Sequence, residues 1–344
     1  MTGGCGFIGS HFVRLILART DWRVVNLDKL TYAGSEERLS DVRANPHYRF
    51  VRGDIADREL VDRVFREEHP WGVVNFAAES HVDRSILDAS PFLQTNIIGV
   101  QALLEAARAH GVERFVQIST DEVYGDAHGR NPFYEDSPLV PSSPYAASKA
   151  AADLLCLASM RTHRVPVLIL RSSNNYGPFQ FPEKLIPLMI RNALAGEELP
   201  VYGDGLQKRD WFFVEDNAQG ILRGLERGRP GAIYNLSAGQ ERTNLEVVRH
   251  LCRLMAEESG LDGGKLEQQI RSVADRPGHD RRYAVHTTRM REELGWRPTT
   301  AFEQGLRRTV RWYLEHQDWM RKVESDEYRR YYDAVYRQAW GQRS

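Results

Sequence analysis

The strand–helix rhythm of the first 172 residues constrains this chain more than any other feature. The runs RVVNLD (23–28), YRFVRGD (48–54), GVVNFAA (72–78), RFVQIST (114–120) and VPVLILR (165–171) are short and apolar. They read as strands buried on both faces. Between them HFVRLILART, RELVDRVFREEH, IIGVQALLEAARAHG and SKAAADLLCLASMRTH carry apolar residues at helical spacing. Parallel strands need crossovers and helices supply them, so the alternation predicts an α/β fold with a doubly wound parallel sheet. After residue 172 the rhythm breaks, and Pro and Gly interrupt NNYGPFQFPEKLIP and LPVYGDG. DWFFVEDNAQGILRGLERG and GAIYNLS read as a further helix and strand returning to the sheet. From residue 243 the chain reads as mostly helical and highly charged, with the long loop VADRPGHDRRYA. The expected division is a first domain over 1–172 with a return at 210–236, and a smaller, discontinuous second domain over 173–209 and 237–344.

The chain opens MTGGCGFIGSHF, so Gly3, Gly6 and Gly9 lead straight into a helix. Such a loop allows a tight turn, close approach of backbone to a pyrophosphate, and close packing of the helix. The helix N-terminus adds N–H donors for phosphate. Asp28 closes the next strand 19 residues after Gly9, where an acid binds adenosine ribose hydroxyls. A carboxylate there repels a 2′-phosphate, which favours NAD over NADP, with Lys29 beside it pulling the other way. Asp54 in GDI stands either near the adenine or in a surface turn. Together these features predict a Rossmann-type sheet. Only Met1 and Thr2 precede Gly3, so the strand that normally leads into such a loop is expected to be a stub. About five residues would then be lacking by usual strand length, with exposed strand edges, lower stability and weaker cofactor binding.

Composition excludes several classes of function. A formal net charge of −1 over 344 residues argues against a nucleic-acid or acidic-membrane partner. No apolar run is long enough for a membrane span, and no basic start precedes an apolar stretch as in a signal peptide. Cys5, Cys156 and Cys252 are far apart and fit free thiols in a reducing compartment, so a cytoplasmic location is expected. His81 and His279 lack further ligands at suitable spacing, and no metal site is expected.

The chemistry concentrates in two motifs. YAASK places Tyr145 and Lys149 on one helix face. A nearby ammonium and a nicotinamide cation would lower the phenol pKa and make Tyr145 a base. STDEVYG ends a strand with Ser119 and Thr120, on the sheet edge where open α/β folds bind ligands. Asp121 and Glu122 follow, and from the residues alone they are equally well a helix cap with first-turn acids or an acid–base pair.

TGGCGFIGSHF, NLDKLTYAG, FAAESHVDRSI, TNIIGVQALLEAA, STDEVYG, SPYAASKAAAD, RSSNNYGPFQFPEKLIP, VYGDGLQKRDWFFVEDN and VADRPGHDRRYA together resemble the dTDP-glucose 4,6-dehydratases, extended short-chain dehydrogenases/reductases. The resemblance covers essentially the whole chain. Cys5 stands where that family usually has Ala, and the segment after Gly125 is short.

The resemblance implies that Tyr145 removes the sugar 4-hydroxyl proton while NAD takes hydride from C4. Glu122 would then take the C5 proton, Asp121 would protonate the departing C6 hydroxyl, and Thr120 would steady the ketone oxygen. It implies an NAD lining of Gly3, Gly6, Phe7, Ile8, Gly9, Asp28, Lys29, Leu30, Thr31, Asp54, Ile55, Ala77, Ala78, Glu79, Ser80, Thr95 and Asn175, with Tyr145 and Lys149. The nucleotide-sugar side would comprise His81, Asn174, Lys184, Leu185, Pro200, Val201, Tyr202, Arg209, Asn244, Asp275, Arg276 and His279. A homodimer is also implied, through the helices around 92–109 and 146–162, although the same apolar faces fit burial within one chain. A 4-epimerase or decarboxylase on this scaffold needs Thr, Tyr and Lys but not the Asp-Glu pair. A UDP-sugar 4,6-dehydratase differs only in the base it reads, and a non-catalytic NAD-binding regulator would not need the full set.

Overall fold

The structure is a computed structural model and describes residues 1–323. The last part of the expected second domain, 324–344, lies outside the described residues. The five anticipated strands form as β1 (Val24–Asp28), β2 (Tyr48–Arg52), β3 (Gly72–Asn75), β4 (Arg114–Thr120) and β5 (Val167–Ser172). Helices α1 (Phe7–Arg19), α2 (Arg58–Glu68), α3 (Val82–Leu87), α4 (Ser90–Leu93), α5 (Val100–Ala109) and α6 (Pro144–His163) lie between them. A π-helical turn, Gln94–Gly99, joins α4 to α5. α7 (Leu185–Ala195) follows β6 (Asn174–Tyr176), and α8 (Val214–Arg227) precedes β9 (Ile233–Leu236), which pairs parallel with β5. The segment before α8 is a strand, β8 (Lys208–Phe213), and not the start of the helix that its sequence suggested.

The main sheet is parallel throughout, in the order β2–β1, then β3–β4–β5–β9. Thr2 bridges the two blocks, pairing with Leu27 of β1 and Asn75 of β3. Its amide donates to Val74 O and Gly3 donates to Leu27 O, while Leu27 and Phe76 donate back to Met1 O and Thr2 O. The stub therefore makes the ladder bonds of a central strand at the end next to the glycine loop. At the opposite end a groove of about 1110 Å³ opens between β1 and β3, lined by Phe12, Ile16, Trp22, Val24, Trp71 and Val74.

Side chains alternate across the sheet as a strand requires. Val116, Ile118, Leu168 and Leu170 pack with α1 and α8 on one face, while Phe115, Val167 and Ile169 pack with α2, α5 and α6 on the other. A separate core gathers α7, α9 (Asn244–Ser259), α12 (Phe302–Glu315) and α13 (Gln317–Val323) around β7 (Leu199–Tyr202) and β8. The short α10 (Gly263–Gln268) adds Leu266 to it, whereas α11 (Thr288–Leu294) packs Met290 and Leu294 into the α1/α8 face of the main sheet. β10 (Glu241–Thr243) pairs antiparallel with β8, and β11 (Ile270–Val273) pairs parallel with β7. These strands escape a sequence reading because they span only three to six residues and carry Arg, Lys and Pro within them. Among the described residues no helix is long and apolar enough to cross a membrane.

Candidate active site

β4 ends at Thr120, and its side chain caps the next turn by accepting from the Glu122 amide at 3.3 Å. That 3₁₀ turn, Asp121–Tyr124, closes on Gly125 at φ 78, where an added Cβ would stand 2.1 Å from Val140 O. The acids therefore occupy a capped first turn, and that turn lies at the carboxyl edge of the sheet. Beneath it, Tyr124 donates to Asn235 Oδ1 at 2.8 Å and accepts from Arg171, which pairs with Asp153 of α6.

α6 begins with Ser143, whose hydroxyl accepts from the Ala146 amide at 3.1 Å, and Pro144 follows in the first helical position. This start sets Tyr145 and Lys149 on the buried face. Thr120 lies within hydrogen-bonding range of the Tyr145 phenol. Lys149 donates to Ile118 O of β4 at 2.6 Å. Burial pushes the Tyr145 phenol well up, Glu122 adds to this, and the bond from Thr120 opposes it. The sequence suggested a phenol lowered by Lys149; in the structure the ammonium is bonded to the β4 backbone, and burial lowers Lys149 itself to about 8.

The two carboxyls are driven apart. Asp121 is 2 % exposed, its Oδ2 has no hydrogen-bond partner, and burial together with the Glu122 charge pushes it well above the usual range. Burial also raises Glu122, but Arg276, Arg209 and Lys184 all oppose that rise. Three cations from three distant segments thus oppose the rise at Glu122, while at Asp121 Arg209 alone among them opposes the repulsion from Glu122 and Asp210.

A cleft of about 1250 Å³ runs from the glycine loop to Tyr145. Gly3, Gly6, Phe7, Ile8, Gly9, Asp28, Lys29, Thr31, Asp54, Ile55, Ala77, Ala78, Glu79, Ser80, Thr95, Tyr145 and Lys149 all line it. The glycines are sterically required: a Cβ on Gly9 would stand 2.3 Å from Gly3 O, and one on Gly3 2.5 Å from the Ala77 amide. Asp28 accepts from the Cys5 and Leu30 amides, both at 2.8 Å, so it also ties the loop to β1. A long cleft with a phosphate-sized glycine cradle at one end and a buried Tyr-Lys pair at the other fits a nicotinamide dinucleotide.

Four anticipated residues are placed differently. Leu30 has φ 57 and turns its side chain into the core, leaving its backbone to form the turn. Asn175 does not line this cleft; its amide group donates to Ser173 O at 2.9 Å, because β6 runs alongside β8. Val201 and Leu185 pack into or against the second core, since β7 and α7 present those faces inward.

The remaining residues are held by contacts of their own. Lys184, which also lines the cleft, donates to Ser80 O at 2.9 Å. Asn174 holds a buried Oδ1 with no hydrogen-bond partner. Pro200 stands opposite Arg271 in the β7–β11 ladder, and Asn244 opens α9, donating from its backbone to Gln207 O. Asp275 accepts from His279 Nδ1 at 2.6 Å and from Gln207 at 2.9 Å. His81 is buried, with Nε2 3.7 Å from Glu183.

Three contributors escaped the sequence reading. Tyr283 donates to Asp280 at 2.9 Å and lies 3.5 Å from Glu122 Oε2, with the Arg209 guanidinium 4.2 Å over its ring. Glu183 lines the cleft and accepts from the Tyr32 hydroxyl at 3.0 Å. Asn96, in the π-helical turn, bonds both Glu79 backbone groups and the Ser148 hydroxyl. Isolated polar residues of this kind carry no spacing signal. Only Asn96 had a cue, as a buried amide inside an apolar helical run.

A family model described as GDP-mannose 4,6 dehydratase matches residues 1–309. The dTDP-glucose 4,6-dehydratase of Neisseria gonorrhoeae is 54% identical over 329 residues, covering 92% of this chain and 95% of that protein. The solved dTDP-glucose 4,6-dehydratase of Streptomyces venezuelae, with NAD bound, superposes at a TM-score of 0.88 with 48% identity, covering 94% of this chain and 98% of that one. A UDP-glucose 4-epimerase of Thermotoga maritima shares the fold at a TM-score of 0.83 but only 30% identity, covering 92% and 98%. Sequence, fold and the carboxylate pair at the end of β4 agree: the chain belongs to the dTDP-glucose 4,6-dehydratase family.

Proposed function

We propose that this protein binds NAD and converts dTDP-glucose to dTDP-4-keto-6-deoxyglucose. The observation that carries the reading is the Asp121–Glu122 pair beside Tyr145, whose members are both raised by burial but meet unequal charge: Glu122 is opposed by Arg276, Arg209 and Lys184, while Asp121 is raised further by Glu122. Simple oxidation or epimerisation needs one base at the sugar 4-hydroxyl. Elimination of water needs an acid and a base in addition. The residues 1–172, with the return at 210–236, hold the dinucleotide, and the segments 173–209 and 237–344 hold the nucleotide sugar.

Bound NAD supplies the acceptor for the C4 hydride and the donor that returns it to C6. Tyr145 takes the 4-hydroxyl proton, with Lys149 behind it on the same helix face and Thr120 steadying the oxygen. The C4 ketone acidifies C5, and Glu122 removes the C5 proton. Asp121, the member held protonated, gives its proton to the C6 hydroxyl, which leaves as water. Glu122 returns a proton to C5 when hydride arrives at C6, so the cycle closes with no net change in the cofactor. The cations Arg209, Arg276 and Lys184 surround Glu122 and are suited to a diphosphate. Asn174, Tyr202, Asn244, Asp275 and His279 complete this side of the site.

Incubation with dTDP-glucose is expected to yield a 4-keto-6-deoxy sugar, and deuterium placed at C4 is expected at C6. Loss of that label to solvent, or absence of product from folded, NAD-loaded protein, would overturn the reading. Parallel kinetics with UDP-glucose read the choice of nucleoside, to which the thymine methyl group contributes about 1–3 kcal/mol beside the ribose 2′-hydroxyl.

The protein is further proposed to work as a cytoplasmic homodimer. Its three cysteines are free thiols. Leu87, Leu93, Ile98 and Leu154 are all at least 42 % exposed on the α3–α5 and α6 surface, an unusual concentration of exposed aliphatic residues. Leu93→Lys combined with Leu154→Lys is expected to halve the mass measured by light scattering. An unchanged mass would place any interface elsewhere.

A further inference from the structure

A carboxylate sits where an anion is expected to bind. Asp83, in the first turn of α3, is 8 % exposed and faces the cluster that contains Arg276, Arg209 and Lys184. Burial pushes its carboxyl up, but His81, Arg276 and the Tyr202 hydroxyl together hold it below the ordinary carboxylate range. A negative charge at this place opposes a diphosphate unless its field is spent on a neighbouring cation.

The contacts of Asp83 are specific. Its Oδ1 accepts from Arg276 Nη1 at 2.9 Å, and its Oδ2 accepts from the Tyr202 hydroxyl at 2.9 Å. One carboxylate therefore joins α3, the end of β7 and the 275–279 loop. On its other side that loop is fixed by Asp275, which accepts from Gln207 and from the Arg276 amide. Arg276 is left with its buried Nε lacking any hydrogen-bond partner. A guanidinium that is anchored through one nitrogen and holds another unsatisfied donor in a dry site is prepared for an anion, since an unmet buried donor is costly.

We propose that Asp83 is a positioning residue for the diphosphate of the substrate: it aims Arg276 and fixes Tyr202 before the nucleotide sugar arrives. This rests on the nucleotide-sugar reading above. Asp83 does not act as a mere placeholder for phosphate, because a placeholder would saturate the donors that substrate needs, and Arg276 Nε stays unmet.

The test is a set of isosteric variants of the full chain with NAD bound. Asp83→Asn is expected to raise the Kd for dTDP and the KM for dTDP-glucose about 10–100-fold, the scale of one charge-assisted hydrogen bond, while kcat changes less than about threefold. Arg276→Lys is expected to weaken dTDP similarly, and the double variant to be little worse than either single one, because both remove the same interaction. Tyr202→Phe, which disturbs folding least, is expected to raise the Kd about threefold by loosening one carboxylate oxygen. Wild-type or tighter dTDP binding by Asp83→Asn, or multiplicative effects in the double variant, would overturn the proposal. A fall in kcat with KM unchanged would also overturn it. Should wild-type protein bind dTDP yet form no 4-keto product, the dehydratase reading fails while this inference stands. Should product form normally while the variants bind dTDP as wild type does, this inference alone fails.

Discussion

Glu122→Gln is expected to lower turnover by about 10²–10⁴-fold, the usual cost of removing one acid–base group. The substitution keeps shape and removes the base proposed for the C5 proton. It leaves Tyr145, Lys149 and the glycine cradle untouched, so C4 oxidation should still proceed. The reduced cofactor should then accumulate on the enzyme, visible by its absorbance near 340 nm (roughly 10²-fold slower decay follows from the same barrier). The cations sharpen the expectation. Arg276, Arg209 and Lys184 counter part of the burial that raises Glu122, so the rise is opposed more strongly there than at Asp121. Asp121 is pushed well above the usual range by burial and by the Glu122 charge, which suits it to the role of acid. An unchanged rate, or loss of activity with no reduced cofactor on adding substrate, would remove Glu122 from the elimination step.

Tyr145→Phe is expected to stop the reaction earlier, with turnover down by at least about 10²-fold and no reduced cofactor at any time. The phenol lies within hydrogen-bonding range of Thr120 and is buried, so deprotonation must be helped by cationic charge nearby. Lys149, on the same helix face, is the protein's own source of that charge, and its pKa is brought down to about 8 by burial. Below that value the ammonium is present; above it the charge is lost. Turnover should therefore fall as pH rises through about 8, and it should fall at the oxidation step. Pre-steady-state absorbance at several pH values separates the two substitutions. Build-up of reduced cofactor in Tyr145→Phe would show that another group takes the 4-hydroxyl proton.

Much of the fold was legible because its signals are local. Apolar runs of strand length, helical spacing between them and three glycines ahead of a helix each act within a few residues. They were sufficient to place β1 to β5, α1 and α6. The strands of the second core were not legible, because β7, β10 and β11 span three or four residues and owe their existence to partners far along the chain. β8 was absorbed into the helix that follows it for the same reason. That Met1–Gly3 would bond to both β1 and β3 was not legible either, because both partners are remote in sequence.

At the site, the sequence by itself determined the residue types for the chemistry: the glycine cradle, Asp28, the Thr120–Glu122 run and the Tyr145–Lys149 pair. Each is a short motif whose geometry follows from one turn or one helix. It left the Asp121–Glu122 pair symmetrical, because adjacent carboxyls in a chain have no environment. Only the tertiary structure broke that symmetry, by bringing Lys184, Arg209 and Arg276 to Glu122 and denying a hydrogen-bond partner to Asp121 Oδ2. It likewise turned Lys149 to the β4 backbone and joined Asp83 to Arg276 across 193 positions of chain. Protonation state is set by burial and by charges within a few ångströms, and those distances come into existence only when the chain folds.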